Sequence, residues 1–331
     1  MNIKSAWIVF VVTLLITLPT RIYQVLFLVD QDTGFYTDGI RTTAFVSVGL
    51  AVGVLLLIIM CFMDKSTKVR YSPIRSVPAA VIGALAGLGI ILQYAVGIFT
   101  FDESQNLIPS IILSLIGICA GAIIILTAYN FAAGNNTFEE RPLLALIPSV
   151  WGCASLVSLF ITYVAVVNIS ENIYDTFTVI FLLLFLFAQA KMLSRIDDGK
   201  SGKMIYVFGL PAALLSLVTG IPGTVMVLGN ISRTSSFPAG LYPVNVLLSL
   251  YVLVFLINYS HLKTDEPELA NASLKETEAQ INAAASGISE DADSEQPIGA
   301  PKQESCLEFL GKAYHSEERF CDCVQSPFLK G

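Results

Sequence analysis

Charged residues are scarce in this sequence. Asp, Glu, Lys and Arg make up 14% of its 331 residues, whereas a soluble globular protein carries about a quarter. Hydrophobic residues make up 54%, so the chain has too few polar groups to cover a surface that faces water. This composition excludes an ordinary soluble domain.

The apolar residues are gathered into long blocks. Each block is about 20 residues long, the length of helix that crosses about 30 Å of hydrocarbon. Because the blocks are apolar at consecutive positions, they exclude a β-barrel, whose strands alternate polar and apolar residues. The sequence predicts an all-α, polytopic helical bundle with eight spans: 6–29, 42–62, 77–100, 108–132, 143–167, 174–193, 204–228 and 238–258.

Basic residues concentrate in two of the predicted loops, which carry Lys65, Lys68, Arg70 and Arg75, and Lys191, Arg195, Lys200 and Lys203. Short loops rich in Lys and Arg stay on the cytoplasmic side. An even number of spans separates these two loops, so both can lie on that side. Both termini are therefore predicted to be cytoplasmic. The first span lacks a small-residue cleavage site and is interpreted as an uncleaved helix.

The chain changes character after residue 263. Residues 264–331 hold fourteen acidic and five basic residues, and the stretch from Ala285 to Glu304 has few large apolar side chains. Such a segment buries too little surface to offset the entropy of ordering. We therefore predict a transmembrane domain over 1–263 and an acidic, mostly disordered cytoplasmic tail over 264–331.

The end of that tail contains one candidate metal site. Zinc prefers cysteine and histidine ligands, although structural zinc sites normally use paired C-x(2–4)-C knuckles. The alternative is a reduced tail without metal, as is usual in the cytoplasm. The candidate ligands are Cys306, His315, Cys321 and Cys323.

Three successive spans carry glycines four residues apart: Gly49 and Gly53, Gly83 and Gly87, and Gly117 and Gly121. Such a pair makes one flat helix face on which a neighbouring backbone can approach closely. We expect spans two, three and four to pack as one cluster within the protomer.

Span seven contains Pro211 and the stretch Thr219–Gly223, which reads TGIPG. A proline removes a helical hydrogen bond and bends or breaks the helix. A break at membrane depth would expose backbone that could line a binding site with Gly220 and Gly223. The alternative is a plain kink.

Arg21 lies inside the first span. Inserting an arginine costs about 2.5 to 3.5 kcal/mol, and the fifteen Leu, Ile, Val and Phe residues of the span return about 4 to 9 kcal/mol, so the span inserts despite the charge. No Asp or Glu lies in a span interior. The acidic residues at the outer ends of the spans are Asp30, Asp32, Asp38, Asp102, Glu103, Glu171 and Asp175.

Two interpretations of Arg21 follow. In the structural one, its charge pairs with Asp175 or with an acidic residue of a loop. In the functional one, it faces an externally open cavity that receives an anionic group, with Tyr23 and Gln24 beside it. Four other polar residues in spans could share that cavity: Gln93, Gln189, Tyr163 and Asn245. Most polar groups of this kind instead form hydrogen bonds between helices.

The spans hold no pair of acid and base and no nucleophile beside a base, and neither histidine lies in a span. Enzymatic activity is therefore not favoured, and we expect no cofactor. The absence of acidic residues from span interiors also argues against a proton pump. No nucleic-acid partner is expected.

The stretch LPTRIYQVLFLVDQDTGFYTDG, Leu18–Gly39, resembles uncharacterised multi-spanning membrane proteins of anaerobic Gram-positive bacteria. The resemblance covers less than a tenth of the chain. It implies a bacterial cell membrane and no particular activity.

Two functional hypotheses from different classes result. The first is a permease or transporter-like component for a small anionic or polar solute, which requires a polar cavity at Arg21. The second is a scaffold without transport activity, whose tail recruits a cytoplasmic protein partner. The lipid bilayer is a partner in both, and the sequence does not fix the oligomeric state.

Overall fold

The computed structural model describes residues 3–28, 36–37, 41–63, 75–99, 107–164, 170–196, 201–229 and 238–259. The described residues contain eight α-helices, each long and apolar enough to cross a membrane. The prediction of an all-helical, eight-span bundle is confirmed. The helices are α1 (Ile3–Phe27), α2 (Arg41–Met63), α3 (Val77–Phe99), α4 (Leu107–Ala133), α5 (Pro142–Val164), α6 (Ser170–Leu193), α7 (Ser201–Leu228) and α8 (Leu241–Tyr259).

All eight helices belong to one compact unit, Met1–Leu269. The predicted boundary at residue 264 lies outside the described residues, as does the whole acidic tail, and stays a prediction. The end of the bundle where α1 begins is called the near face below. The end where α1 finishes and α2 begins is called the far face.

Helix α7 is the central helix of the bundle. In its most apolar stretch 83% of the residues are buried, against 50% or fewer in each of the other seven helices. It packs against α1, α2 and α6, and the hydroxyl of Ser249 in α8 donates to the carbonyl of Ala213 at 3.2 Å. Helices α1, α2, α6 and α8 therefore pack on α7, and the helices around it expose apolar side chains on their outer faces.

Of the two alternatives for span seven, the break is absent, because α7 is continuous through Pro211 and Pro222. Proline is tolerated inside membrane helices where neighbouring helices and hydroxyl side chains satisfy the backbone. Pro211 and Pro222 leave the carbonyls of Val207 and Val218 without their helical donors, and both prolines are buried by surrounding protein. The hydroxyls of Thr219 and Thr224 bond other carbonyls of the same helix, those of Leu215 at 2.9 Å and Gly220 at 2.6 Å.

The predicted cluster of spans two, three and four is wrong in part. Helices α3 and α4 do pack closely, since a Cβ placed on Gly87 would lie 2.7 Å from the carbonyl oxygen of Gly121. In α2, however, the paired glycines face α1: Gly49 lies against Thr17, and Gly53 lies against Thr13. Helix α2 packs on α1 and α7. A glycine pair indicates a close contact, but it does not identify the partner helix.

Two helix ends at the near face use left-handed backbone. Gly134, with φ of 73°, follows α4, and its neighbour Asn135 donates its amide to the carbonyl of Asn130. Arg195 takes the same role after α6 with φ of 51°, and its side chain forms an ion pair of 2.9 Å with Glu139. The end of α6 shows both hydrogen bonds of the Schellman motif, whereas at the end of α4 the amides of Gly134 and Asn135 both donate to the carbonyl of Asn130. The ion pair with Glu139 joins the α4–α5 connection to the end of α6.

We predict that Gly87→Ala destabilises the bundle by about 1 to 3 kcal/mol, because the added methyl group would overlap the backbone of α4. Gly97→Ala is the matched control on the same helix. No atom lies within 4 Å of its added Cβ, so it should be neutral or slightly stabilising, as alanine is the better helix former. Thermal unfolding in detergent measures both, and equal melting temperatures would contradict the prediction.

Candidate functional site

Arg21 lies on the face of α1 that points into the bundle, near the far face. Only 2% of its surface is exposed. Its Nη1 atom donates to Oε1 of Gln24 at 2.9 Å and to the hydroxyl of Tyr36 at 2.7 Å. The guanidinium carbon lies 4.6 Å from the centre of the Tyr174 ring, a distance typical of a cation–π contact. Protein dipoles and an aromatic face therefore surround the charge.

The groups that hold Arg21 are themselves held by α2. Nε2 of Gln24 donates to the hydroxyl of Thr43 at 3.0 Å. The hydroxyls of Tyr174 and Ser47 lie 2.6 Å apart. Because Thr43 and Ser47 are four residues apart, they lie on one face of α2. Below, the Arg21 cluster means Arg21, Gln24, Tyr36, Thr43, Ser47 and Tyr174.

Polar groups continue from the Arg21 cluster along α6 towards α7. The hydroxyls of Thr178 and Thr219 lie 3.4 Å apart, which brings a polar pair to the central helix. Asp175, which follows Tyr174, is 2% exposed, so this predicted acidic candidate is buried. Asn172, one turn away on α6, is also buried. A continuous set of polar residues therefore lies between α1, α2, α6 and α7 in the far half of the bundle.

Only some residues of the predicted substrate site lie close together in the structure. Arg21 and Gln24 lie together, because residues three apart share a helix face. Tyr23 points outward instead, is 55% exposed and packs on Phe27. Gly220 and Gly223 lie at the contact of α7 with α8, where Val246 and the ring of Tyr242 occupy the space that side chains would fill. These two glycines allow close helix packing.

The other polar residues predicted in spans lie apart from the Arg21 cluster where their positions are described. Gln189 donates to the hydroxyl of Tyr251, and both line a cavity of about 10 Å³ among α4, α5, α6 and α8. That volume is about the size of one water molecule. Gln93 lies beside Gly240, and Asn245 is buried in α8. The side chain of Tyr163 lies outside the described residues.

The predicted metal ligands, Cys306, His315, Cys321 and Cys323, all lie outside the described residues. Within the part of the chain that the structure describes, no group of three or more His, Cys, Asp or Glu residues could hold a metal ion. Of the cysteines in spans, Cys61 is buried, and Cys119 and Cys153 are exposed on the outer surface.

The sequence analysis missed four members of the Arg21 cluster: Tyr36, Thr43, Ser47 and Tyr174. Threonine and serine in a helix commonly bond to their own backbone, so Thr43 and Ser47 gave no distinct signal beyond their four-residue spacing. Tyr174 lies near the start of a span, where aromatic residues are common anyway. Its contact with Arg21 depends on how α1 and α6 pack, which periodicity within one helix does not encode.

We predict that Tyr174→Leu lowers the free energy of unfolding by about 1 to 3 kcal/mol. The substitution removes the cation–π contact, worth about 0.5 to 2 kcal/mol, and a hydrogen bond between helices, worth about 0.6 to 1.7 kcal/mol. Tyr129→Leu is the control, because Tyr129 is 63% exposed on α4. Thermal unfolding of both variants in detergent is the measurement, and an unchanged Tyr174→Leu variant would contradict the importance of the contact.

No protein-family model matches this sequence, and neither the curated proteins nor the solved structures contain a significant match. Function is therefore inferred from the chain's own residues. Its eight spans make it a multi-pass integral membrane protein.

Proposed function

We propose that the protein is a permease or transporter-like component for a small anionic or polar solute, with the Arg21 cluster as its binding site. The observation that carries this proposal is the meeting of five polar side chains from α1, α2, α6 and the α1–α2 connection around one buried guanidinium. Polar and charged groups inside a membrane bundle commonly mark the path of a solute.

The chemistry of the cluster favours an anionic group. Arginine presents several N–H donors in a fixed plane that fits carboxylate and phosphate oxygens. Tyr174 supports that plane on one side, while Gln24 fixes Nη1. A guanidinium held in this way needs little rearrangement to accept an oxygen of a ligand.

The cluster is closed in this structure, since Arg21 is 2% exposed. Transport therefore requires a second conformation in which the far half of the bundle opens. The pair Thr178 and Thr219 extends the polar groups to α7, which supports a route beside the central helix. We further propose that the membrane is a bacterial cell membrane, with the near face and both termini in the cytoplasm, as the loop charges indicate.

The test is a thermal-shift screen of purified protein in detergent, with acetate, lactate, succinate, inorganic phosphate and sulfate, and with choline and glucose as non-anionic compounds. At least one anion should raise the melting temperature, since a ligand that binds only the folded state stabilises it by mass action. The rise should disappear in Arg21→Gln. Proteoliposomes should then take up that anion, and Arg21→Gln should abolish the uptake.

Arg41→Gln is the matched control, because Arg41 is an exposed arginine at the start of α2, on the same far face. It should keep the anion response. A response lost equally in both variants would indicate nonspecific charge effects. An Arg21→Gln variant that is folded and keeps the full response would contradict the proposed site.

The low exposure of Arg21 favours a second candidate, a scaffold that does not transport. In that case the guanidinium serves only to join α1, α2 and α6, and the tail over 264–331 recruits a cytoplasmic protein.

Deleting residues 264–331 separates the two candidates, because the Arg21 cluster lies entirely within residues 21–174. For a permease, we expect the truncated protein to keep anion binding and uptake at the full-length level. For a scaffold, the deletion should abolish function in cells, and Arg21→Gln should preserve it. Complementation of a deletion strain with each variant is the measurement, and uptake by the truncated protein indicates a permease.

A further inference from the structure

Tyr36 differs from the other partners of Arg21. Gln24 and Tyr174 lie on membrane-spanning helices, and each forms a hydrogen bond to α2. Tyr36 instead lies in the connection between α1 and α2 and is only partly buried. Among the described residues, the guanidinium thus contacts side chains inside the bundle and a tyrosine of the far-face connection.

The backbone beside Tyr36 is attached to the end of α1. The amide of Thr37 donates to the carbonyl of Leu28 at 2.8 Å, and its hydroxyl donates to the same oxygen at 3.1 Å. These bonds fix the backbone next to the tyrosine. The contacts of Arg21 with Gln24 and Tyr174 are made within the helices and do not involve Tyr36.

The Tyr36 hydroxyl accepts from Nη1 of Arg21 at 2.7 Å, a distance typical of hydrogen bonds to a charged partner. A neutral phenol oxygen is a weaker acceptor for a guanidinium than a carboxylate or phosphate oxygen, because an ionised acceptor adds charge attraction. An anionic oxygen in the same position would keep the geometry and strengthen the interaction.

We infer that the Tyr36 hydroxyl occupies the subsite for one anionic oxygen of the ligand, so that tyrosine and ligand compete for Arg21. This inference rests on the proposed anion site and adds its ligand chemistry and its regulation. The ligand carries a carboxylate or a phosphate group, either as a free solute or as a lipid headgroup, and enters from the far face as Tyr36 turns away. Without a ligand, the Tyr36 hydroxyl occupies this position and closes the site.

Tyr36→Phe tests the competition, because it removes the hydroxyl and keeps the ring. Titrations with acetate and with inorganic phosphate in lipid-free detergent, followed by thermal shift, give an apparent Kd for wild type and variant. A hydrogen bond to a charged group corresponds to about a tenfold to hundredfold change in affinity, so the variant should bind the anion about tenfold tighter or more. Its melting temperature without anion should be lower than that of wild type.

Tyr129→Phe is the matched control, since it removes a hydroxyl from an exposed tyrosine of α4. It should change neither the apparent Kd nor the melting temperature. Tyr36→Leu provides a second variant that also lacks the competing oxygen and should bind the anion more tightly as well.

The outcomes separate this inference from the proposed function. If wild type binds an anion through Arg21 and both Tyr36 variants bind it with unchanged or weaker affinity, the competition is wrong and the anion site stands. If neither wild type nor the Tyr36 variants bind acetate or phosphate in detergent, and nanodiscs of phosphatidylglycerol stabilise them no more than phosphatidylcholine, both ideas are overturned. Stabilisation of Tyr36→Phe by phosphatidylglycerol alone supports the subsite and assigns it to a lipid headgroup, which overturns solute transport.

Discussion

A charged guanidinium inside hydrocarbon needs polar partners from the protein, because water is absent at that depth. Arg21 finds them on three separate parts of the chain: Gln24 on its own helix, Tyr174 on α6 and Tyr36 in the α1–α2 connection. Thr43 and Ser47 of α2 then fix two of these partners. Arg21 and its surroundings therefore link the α1–α2 pair to α6, and all three helices also pack on α7.

Close packing elsewhere depends on small residues. Lipid tails are as apolar as leucine, so burial of apolar surface gives little advantage to helix contact inside a membrane, and dispersion at short range must provide it. The backbones of α3 and α4 meet at Gly87 and Gly121, and α8 approaches α7 at Gly220 and Gly223. Outside the Arg21 cluster, glycine contacts and side-chain hydrogen bonds such as Gln189 to Tyr251 and Trp151 to Tyr94 join the helices.

The apolar blocks were sufficient to predict eight helices, because the length that crosses a bilayer is a property of each block alone. The position of Gln24 beside Arg21 followed from helical spacing in the same way. The sequence did not show which helices pack against each other. The glycines of α2 face α1 rather than α3, and Pro222 lies in a continuous helix where neighbouring protein buries it. Tyr36 and Tyr174 reach Arg21 only through the packing of distant segments, which no local pattern contains.

The described partners of Arg21 form two groups, which differ in the hydrogen bonds that break when each partner moves away from the charge. Moving Gln24 or Tyr174 away from Arg21 would disturb hydrogen bonds that join α1, α2 and α6. Moving the side chain of Tyr36 requires the loss of its hydrogen bond to Arg21, while the backbone bonds at Thr37 remain. Since a ligand shifts an equilibrium only through a difference in affinity between two states, an anion that replaced the neutral hydroxyl of Tyr36 would provide that difference through the stronger hydrogen bond of an ionised acceptor.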